Sequence, residues 1–177
     1  ENIRLADVAR HFGTPCYVYS RATIVANFRA YQAAFAASKP MICYAVKANS
    51  TLSVLALLAS EGAGFDIVSG GELQRVIAAG GDPGKVIFSG VGKRHDEISL
   101  ALSHNIFCFN VESEAELYRV NEIAIADGKR ARITFRINPD VDTKTHPYIS
   151  TGLKSNKFGV AHADAVLLVD DEQSPPR

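Results

Sequence analysis

From residue 40 onward, the chain alternates between short apolar runs and longer segments whose apolar residues recur at helical spacing. The apolar runs predict strands and the segments between them predict helices. The predicted strands are 41–46, 65–69, 85–90, 106–111 and 131–138, and the predicted helices are 50–62, 71–81, 93–105 and 113–129. Strands that are apolar almost throughout are typical of a parallel sheet covered on both faces. The pattern therefore predicts a repeated βα unit.

Two of these helices carry recognisable end signals. Ser50 is a candidate N-cap for the first helix, and Gly62 is a candidate stop. Ser113 and Glu116 have the spacing of a capping box at the start of the fourth helix. These signals favour separate helices joined by short loops.

Two α/β architectures fit a repeated βα unit: an open, doubly wound sheet and a (β/α)8 barrel. Periodicity does not separate them. No strand is followed by GxGxxG or GxxxxGK[ST], so no nucleotide-binding loop favours the open sheet.

The segments that flank the βα series are less regular. Residues 14–20 form a short β-like run, and 22–36 follow with helical spacing. Residues 138–159 are too long and polar for an ordinary βα loop, so we expect them to be functional or disordered. Residues 163–169 are helix-like, and the polar tail after them contains two prolines.

Composition narrows the class of protein. The 177 residues are 47% hydrophobic and 21% charged, which is ordinary for a soluble globular domain. Nineteen basic and nineteen acidic residues balance, so no nucleic-acid partner is predicted. No apolar run is long enough to span a bilayer, and the N-terminus lacks signal-peptide features. The absence of an initial Met suggests that numbering begins inside a longer product.

The cysteines indicate a reducing compartment. Cys16, Cys43 and Cys108 are odd in number and widely spaced, with no zinc-type Cys/His cluster. No metal site is predicted. Buried free thiols and a cytoplasmic location are expected.

Polar side chains collect at the predicted strand ends, where ligands bind in parallel α/β proteins. These residues are Lys47, Asp66 with Ser69, Ser89 with Gly90, Asn110 with Glu112, and Arg136 with Asn138. A lysine with a free amine can form a Schiff base with a carbonyl compound, including pyridoxal phosphate. The alternatives are that Lys47 is a solvated loop residue and that Asp66 caps a backbone group or pairs with Arg136.

Histidines and glycines give less specific signals. His11, His95, His104 and His162 lie on predicted helices or their edges, and His146 lies in the long loop before Pro147. The segments "SGGE" (69–72) and "SGVG" (89–92) could meet a phosphate through backbone N–H groups, although glycine that merely ends a strand is more common.

Several segments together resemble a known family. They are "YAVKAN" (44–49), "GAGFDIVSGGEL" (62–73), "IFSGVGK" (87–93), "FNVESEAEL" (109–117), "RINPDVD" (136–142) and "THPYISTGLKSNKFG" (145–159). Over about residues 3 to 165, they resemble the diaminopimelate decarboxylases, which share a pyridoxal-phosphate fold with alanine racemase and eukaryotic ornithine decarboxylase. "YAVKAN" is typical of the wider decarboxylase group, whereas the last segment points to the diaminopimelate branch.

The resemblance implies roles for individual residues. Lys47 matches the lysine that holds pyridoxal phosphate as a Schiff base and is the implied catalytic residue. Asp66 and Arg136 match cofactor-binding residues of the second and fifth strands. Lys157 matches a lysine that lies at the homodimer interface of related decarboxylases.

The resemblance also implies an architecture and a reaction. Residues 21–177 would form part of a pyridoxal-phosphate-binding (β/α)8 barrel of the TIM type, with about five βα units. Residues 1–20 would supply a strand to a C-terminal β domain that is missing here. The implied reaction is decarboxylation of meso-2,6-diaminopimelate to L-lysine and CO2, with the amino-acid substrate and the cofactor as the small-molecule partners.

This chain departs from the family pattern in its second half. It lacks counterparts of the family's cofactor-stacking histidine, its glycine-rich phosphate loop and the glutamate that faces the pyridine nitrogen. We therefore expect the chain alone to be inactive and to bind cofactor weakly. Two alternatives stay open: a related decarboxylase acting on ornithine, arginine or carboxynorspermidine, and a non-catalytic binding fragment.

Overall fold

Five short parallel strands form the centre of the protein. The computed structural model describes residues 1–139 and 158–161. Strands β1 to β5 are Cys43–Ala45, Gly64–Ile67, Val86–Phe88, Cys108–Val111 and Ile133–Phe135. They are hydrogen-bonded in the order β1-β2-β3-β4-β5, and every pair is parallel. Two further strands, β6 (Ile137–Asn138) and β7 (Val160–Ala161), form a separate parallel pair.

Helices connect the strands and cover one face of the sheet. The six helices α1 to α6 are Leu5–Phe12, Arg21–Ala34, Leu52–Ser60, Gly70–Ala78, His95–Ser103 and Glu114–Ala126. Short 3₁₀ turns occupy Ala36–Ser38, Val46–Ala48 and Pro83–Lys85. Helices α3 to α6 pack side by side in chain order. The regular alternation of strand and helix confirms the predicted βα repeat.

The strand order distinguishes between the two predicted architectures. A doubly wound sheet reverses its strand order at a switch point, whereas successive strands of a barrel are neighbours throughout. Here each strand lies beside the next strand along the chain. The sheet is therefore a barrel wall of five strands, as the barrel prediction requires.

The predicted strand 131–138 is divided at Arg136. Before it, β5 pairs with β4, and the Arg136 N–H donates to the Val111 carbonyl oxygen. After it, β6 pairs with β7, and the Val160 N–H donates to the Arg136 carbonyl oxygen. The main chain thus changes partner at Arg136, which places this residue at the carboxyl end of the five-stranded sheet.

The two faces of the sheet differ in polarity because strand side chains alternate. The face beneath the helices carries the fully or almost fully buried residues Phe65, Ile67, Val86, Phe88 and Phe109. The opposite face corresponds to a barrel interior. Register places Ala45, Asp66, Ile87 and Cys108 in one row across it. Asp66 and Asn110 are half-buried on this face.

One local prediction is wrong. Helix α3 has Thr51 rather than Ser50 as its N-cap, and Asn49 Oδ1 accepts a hydrogen bond from the Thr51 N–H at 3.0 Å. The Asn49 side chain accepts a backbone N–H of the turn before α3, and the N-cap therefore lies one residue later than predicted. Residues 14–20 have no strand assignment within the part of the chain that the structure describes, and the strand that the resemblance assigns to the missing β domain stays a prediction.

The N-terminal segment exposes apolar side chains. Helix α1 has no buried residue, and Phe12 and Tyr17 are exposed by 74% and 91%. The Glu1 carboxylate accepts hydrogen bonds from Ser20 Oγ and from the Ala22 N–H, which fixes the segment to the start of α2. Within residues 1–139 and 158–161, no helix is both long enough and apolar enough to cross a membrane.

Candidate active site

Lys47 lies directly after β1, in the 3₁₀ turn Val46–Ala48. Val46 is fully buried and anchors this turn, whereas Lys47 is exposed. Tyr44 Oη donates to the Asn49 carbonyl oxygen at 3.2 Å and closes the turn from below. Among the described residues, Lys47 Nζ has no hydrogen-bond or ion-pair partner. Its amine is therefore available to an external carbonyl group.

Asp66 begins a line of polar side chains across neighbouring strands. Ser89 Oγ donates to Asp66 Oδ1 at 2.6 Å. Asn110 Nδ2 lies 3.4 Å from Ser89 Oγ, and Thr134 Oγ1 lies 3.5 Å from Asn110 Oδ1. The line crosses the inner face from β2 to β5 and lies beside the strand that leads to Lys47. Asp66 therefore does not pair with Arg136, and that alternative is wrong.

Arg136 is held by a different carboxylate. Its Nη1 lies 3.1 Å from Glu112 Oε2, and its guanidinium carbon lies 4.7 Å from the centre of the Phe158 ring. The Glu112 side chain is only 1% exposed, whereas that of Arg136 is 35% exposed. The guanidinium thus lies at the edge of the site with one side anchored in the protein.

Buried polar residues below this ion pair were missed by sequence reasoning. Lys93 Nζ donates to the carbonyl oxygens of Gly90 and Asn110 and to Glu116 Oε1. Glu116 Oε2 accepts from the Glu112 N–H rather than from the Ser113 N–H, so the predicted capping box is wrong in this half. The other half is confirmed, since Ser113 Oγ accepts from the Glu116 N–H. A lysine at the end of an apolar run, "IFSGVGK", was the available signal for Lys93.

One N–H group in each of the two glycine segments is unavailable to a phosphate. The Gly70 N–H donates to Glu97 Oε1 at 2.8 Å, and the Gly90 N–H donates to Glu112 Oε1 at 2.9 Å. Because internal carboxylates occupy both donors, these segments tie neighbouring βα junctions together. Phosphate binding by the remaining N–H groups of the two segments stays a prediction.

Two thiols lie on the inner face below the site. Burial, followed by the nearby Asp66 and Cys108, raises the pKa of Cys43 to about 11. Burial also raises the pKa of Cys108, whose Sγ lies 3.9 Å from Thr134 Oγ1. Both thiols are free and stay protonated at neutral pH, so they serve as neutral packing groups rather than nucleophiles.

The remaining candidates lie away from this edge or outside the described residues. His11 and His95 are helical residues, and His104 ends α5. Lys157, His146 and His162 lie outside the described residues. In the part of the chain that the structure describes, no three His, Cys, Asp or Glu side chains are grouped so that they could hold a metal ion.

Known proteins match both the sequence and this fold. Residues 21–174 match the family model of the pyridoxal-dependent decarboxylases, pyridoxal binding domain. The diaminopimelate decarboxylase of Neisseria meningitidis serogroup B is 58% identical over 166 residues, covering 94% of this chain and 40% of that protein. The Vibrio cholerae diaminopimelate decarboxylase is 60% identical over 160 residues, covering 90% of this chain and 38% of that protein.

A solved structure agrees closely. The crystal structure of Helicobacter pylori diaminopimelate decarboxylase complexed with L-lysine superposes with a TM-score of 0.92 at 48% identity, covering 97% of this chain and 44% of that one. This chain thus spans about 40% of the length of its curated relatives. The family match, the barrel wall and the lysine at the end of its first strand lead to one assignment: the chain belongs to the pyridoxal-dependent decarboxylases, and its residues 21–174 match their pyridoxal-binding domain.

Proposed function

We propose that the complete polypeptide is a pyridoxal-phosphate-dependent decarboxylase that converts meso-2,6-diaminopimelate to L-lysine and CO2. The observation that carries the proposal is Lys47, an exposed lysine without a partner among the described residues, at the carboxyl end of β1. The high identity to curated diaminopimelate decarboxylases and the structural match to one complexed with L-lysine support the choice of substrate.

The described residues fit the cofactor. Pyridoxal phosphate carries an aldehyde, anionic oxygens and a ring nitrogen, and the site offers groups complementary to these. Lys47 provides an unengaged amine, and Arg136 provides a guanidinium whose Nε and Nη2 have no hydrogen-bond partner among residues 1–139 and 158–161. Asp66 provides a carboxylate that is already hydrogen-bonded to Ser89 Oγ. Lys47, Asp66 and Arg136 are therefore proposed as the cofactor-binding residues.

Each residue has a distinct task in this proposal. When bound, the cofactor supplies an electron-poor ring that accepts the electron pair left by departing CO2. Lys47 Nζ would hold the cofactor by its aldehyde carbon, because an unengaged amine condenses with an aldehyde. The hydrogen bond from Ser89 fixes the orientation of the Asp66 carboxylate on the inner face. Arg136 would bind an anionic group of the cofactor or the substrate.

A substrate panel tests the proposed reaction. The complete natural polypeptide that contains this chain would be incubated with pyridoxal phosphate and, separately, with meso-diaminopimelate, ornithine, arginine and carboxynorspermidine, and CO2 release would be measured. We expect release from meso-diaminopimelate alone. Greater CO2 release from another substrate would make that substrate the natural one in place of meso-diaminopimelate. No CO2 release from any substrate would favour a non-catalytic binding role.

We further propose the setting in which this enzyme works. The free thiols support a reducing, cytoplasmic location. The exposed apolar side chains of residues 1–20 support the docking of this segment onto a second domain, and Lys157 is proposed to lie at a homodimer interface. Light scattering of the complete polypeptide tests the dimer, and a monomeric mass would contradict it.

A further inference from the structure

The carboxylate of Glu112 joins three neighbouring strand ends. It belongs to the residue that follows β4, it accepts the Gly90 N–H after β3 at 2.9 Å, and its other oxygen lies 3.1 Å from Arg136 Nη1 after β5. Its side chain is 1% exposed. A buried carboxylate requires compensation for the water it has lost, and these two contacts supply it.

The backbone of Glu112 is fixed as firmly as its side chain. Glu116 Oε2 accepts from the Glu112 N–H at 3.0 Å, and Glu116 Oε1 binds Lys93 Nζ. Lys93 also donates to the carbonyl oxygens of Gly90 and Asn110. The Glu112 backbone and Gly90, one of the two contact partners of the Glu112 carboxylate, therefore have defined positions before any ligand binds.

Arg136 depends on Glu112 for its own position. A long arginine side chain that is 35% exposed would otherwise sample many rotamers. The ion pair with Glu112 restrains one side of the guanidinium. The Phe158 ring, whose centre lies 4.7 Å from the guanidinium carbon, covers one of its faces. The donors on Nε and Nη2 are left to face a ligand, because no described residue accepts from them.

We propose that Glu112 is a positioning residue, which holds the Arg136 guanidinium ready for an anionic group of the bound cofactor or substrate. This inference rests on the proposed function, because it requires a ligand at the strand ends. Glu112 acts through Arg136 and touches no reacting atom. Because the guanidinium is already ordered, ligand binding does not incur the conformational entropy cost of ordering the Arg136 side chain.

The decisive variant is Glu112→Gln. A glutamine keeps an oxygen for the Gly90 N–H but presents an uncharged amide to Arg136. The substitution therefore removes the ion pair and retains the hydrogen bond from Gly90. The matched control is Glu97→Gln. Glu97 also accepts a glycine N–H after a strand: it accepts the Gly70 and Arg94 N–H groups, lies 3.9 Å from Arg94 Nε, and does not contact Arg136.

The test is made in the complete natural polypeptide, with the dissociation constant of pyridoxal phosphate measured by its visible absorbance and folding followed by circular dichroism. We expect Glu112→Gln to weaken cofactor binding or raise the KM for substrate about tenfold, the scale of one charge-assisted contact. Glu97→Gln should change both constants less than twofold. In an Arg136→Gln background, Glu112→Gln should have no further effect. Should Glu112→Gln fail to fold, Glu112→Asp, which keeps the charge but shortens its reach, takes its place.

The outcomes separate the two proposals. If the unmodified protein binds pyridoxal phosphate and Glu112→Gln behaves like Glu97→Gln in both constants, the positioning role is wrong and the proposed function stands. An additive effect of the two substitutions in the double variant would also overturn it. If the unmodified protein binds no pyridoxal phosphate, the proposed function fails and the positioning role fails with it.

Discussion

Lys47 and Lys93 follow two strands of the same sheet, β1 and β3, yet their surroundings are opposite. The Lys93 side chain is fully buried, and three oxygen atoms from Gly90, Asn110 and Glu116 accept from its Nζ. Lys47 is exposed and has no partner among the described residues. The strand-end pattern pointed to Lys47 but could not reveal that Lys93 is structural, since two of its three partners, Asn110 and Glu116, come from the next βα unit.

Replacing Lys93 with methionine should destabilise the domain by about 3 kcal/mol, because the buried Glu116 carboxylate and two carbonyl oxygens lose their donor. The free energy of unfolding in urea measures the change. Lys129→Met, which removes an exposed lysine, should change it by less than about 0.5 kcal/mol. Equal losses for the two variants would show that the buried network contributes little.

The Cys43 thiol makes the free energy of unfolding vary with pH in the alkaline range. Burial raises its pKa in the folded protein to about 11, from an ordinary value of 9.0. The folded state therefore keeps its proton longer than the unfolded state does. The stabilising contribution is complete below about pH 9 and is lost as the pH rises towards 11.

Alkylation by iodoacetamide, mapped by mass spectrometry, tests this pKa. We expect Cys43 to react slowly up to pH 9 and to reach half its maximal rate near pH 11, whereas the exposed Cys16 reacts first at neutral pH. Rapid modification of Cys43 at pH 8 in the folded protein would contradict the burial argument.

At the scale of elements, the hydrophobic pattern was sufficient for the βα repeat. The four predicted helices between residues 50 and 129 are all present, and each begins within two residues of its predicted start. Their apolar stripes pack onto the sheet, so packing and periodicity agree. The β-like run at 14–20 stays a prediction, because a strand needs a pairing partner and local pattern carries no information about one.

Side-chain partners across elements were the part that the pattern could not supply. Glu116 has the spacing of a capping box, but its carboxylate reaches the Glu112 N–H and Lys93 instead. Arg136 meets Glu112 rather than Asp66 because β4 and β5 are adjacent, whereas Asp66 lies on β2. Such contacts depend on strand order and register, which no local signal specifies.

The N-cap of α6 should contribute measurably to stability. Ser113 Oγ accepts from the Glu116 N–H at 3.2 Å and satisfies one donor that the helix cannot. Ser113→Ala should therefore cost about 1 kcal/mol of unfolding free energy. Ser103→Ala serves as the control, since its hydroxyl only donates to a carbonyl three residues earlier and is exposed. The cap is unimportant if urea unfolding does not distinguish the two variants.

At the scale of the whole molecule, sequential strand order places the proposed site residues at one edge of the sheet. Because neighbouring strands are parallel and in chain order, their carboxyl ends form one edge that carries Lys47, Asp66, Glu112 and Arg136. The same order leaves β1 without a neighbour on one side among the described residues. The relatives that this chain matches are about two and a half times as long, in keeping with coverage of 40% of their length.

In the proposed function Lys47 carries the cofactor, and reductive trapping identifies the lysine that does so. The complete natural polypeptide would be loaded with pyridoxal phosphate, reduced with borohydride and digested, and the modified residue would be identified by mass spectrometry. We expect the label on Lys47 alone, with label and decarboxylation both absent from Lys47→Ala. A pyridoxyl label on Lys93 or any other lysine of the unmodified protein, or a label retained in Lys47→Ala with normal turnover, would contradict the account.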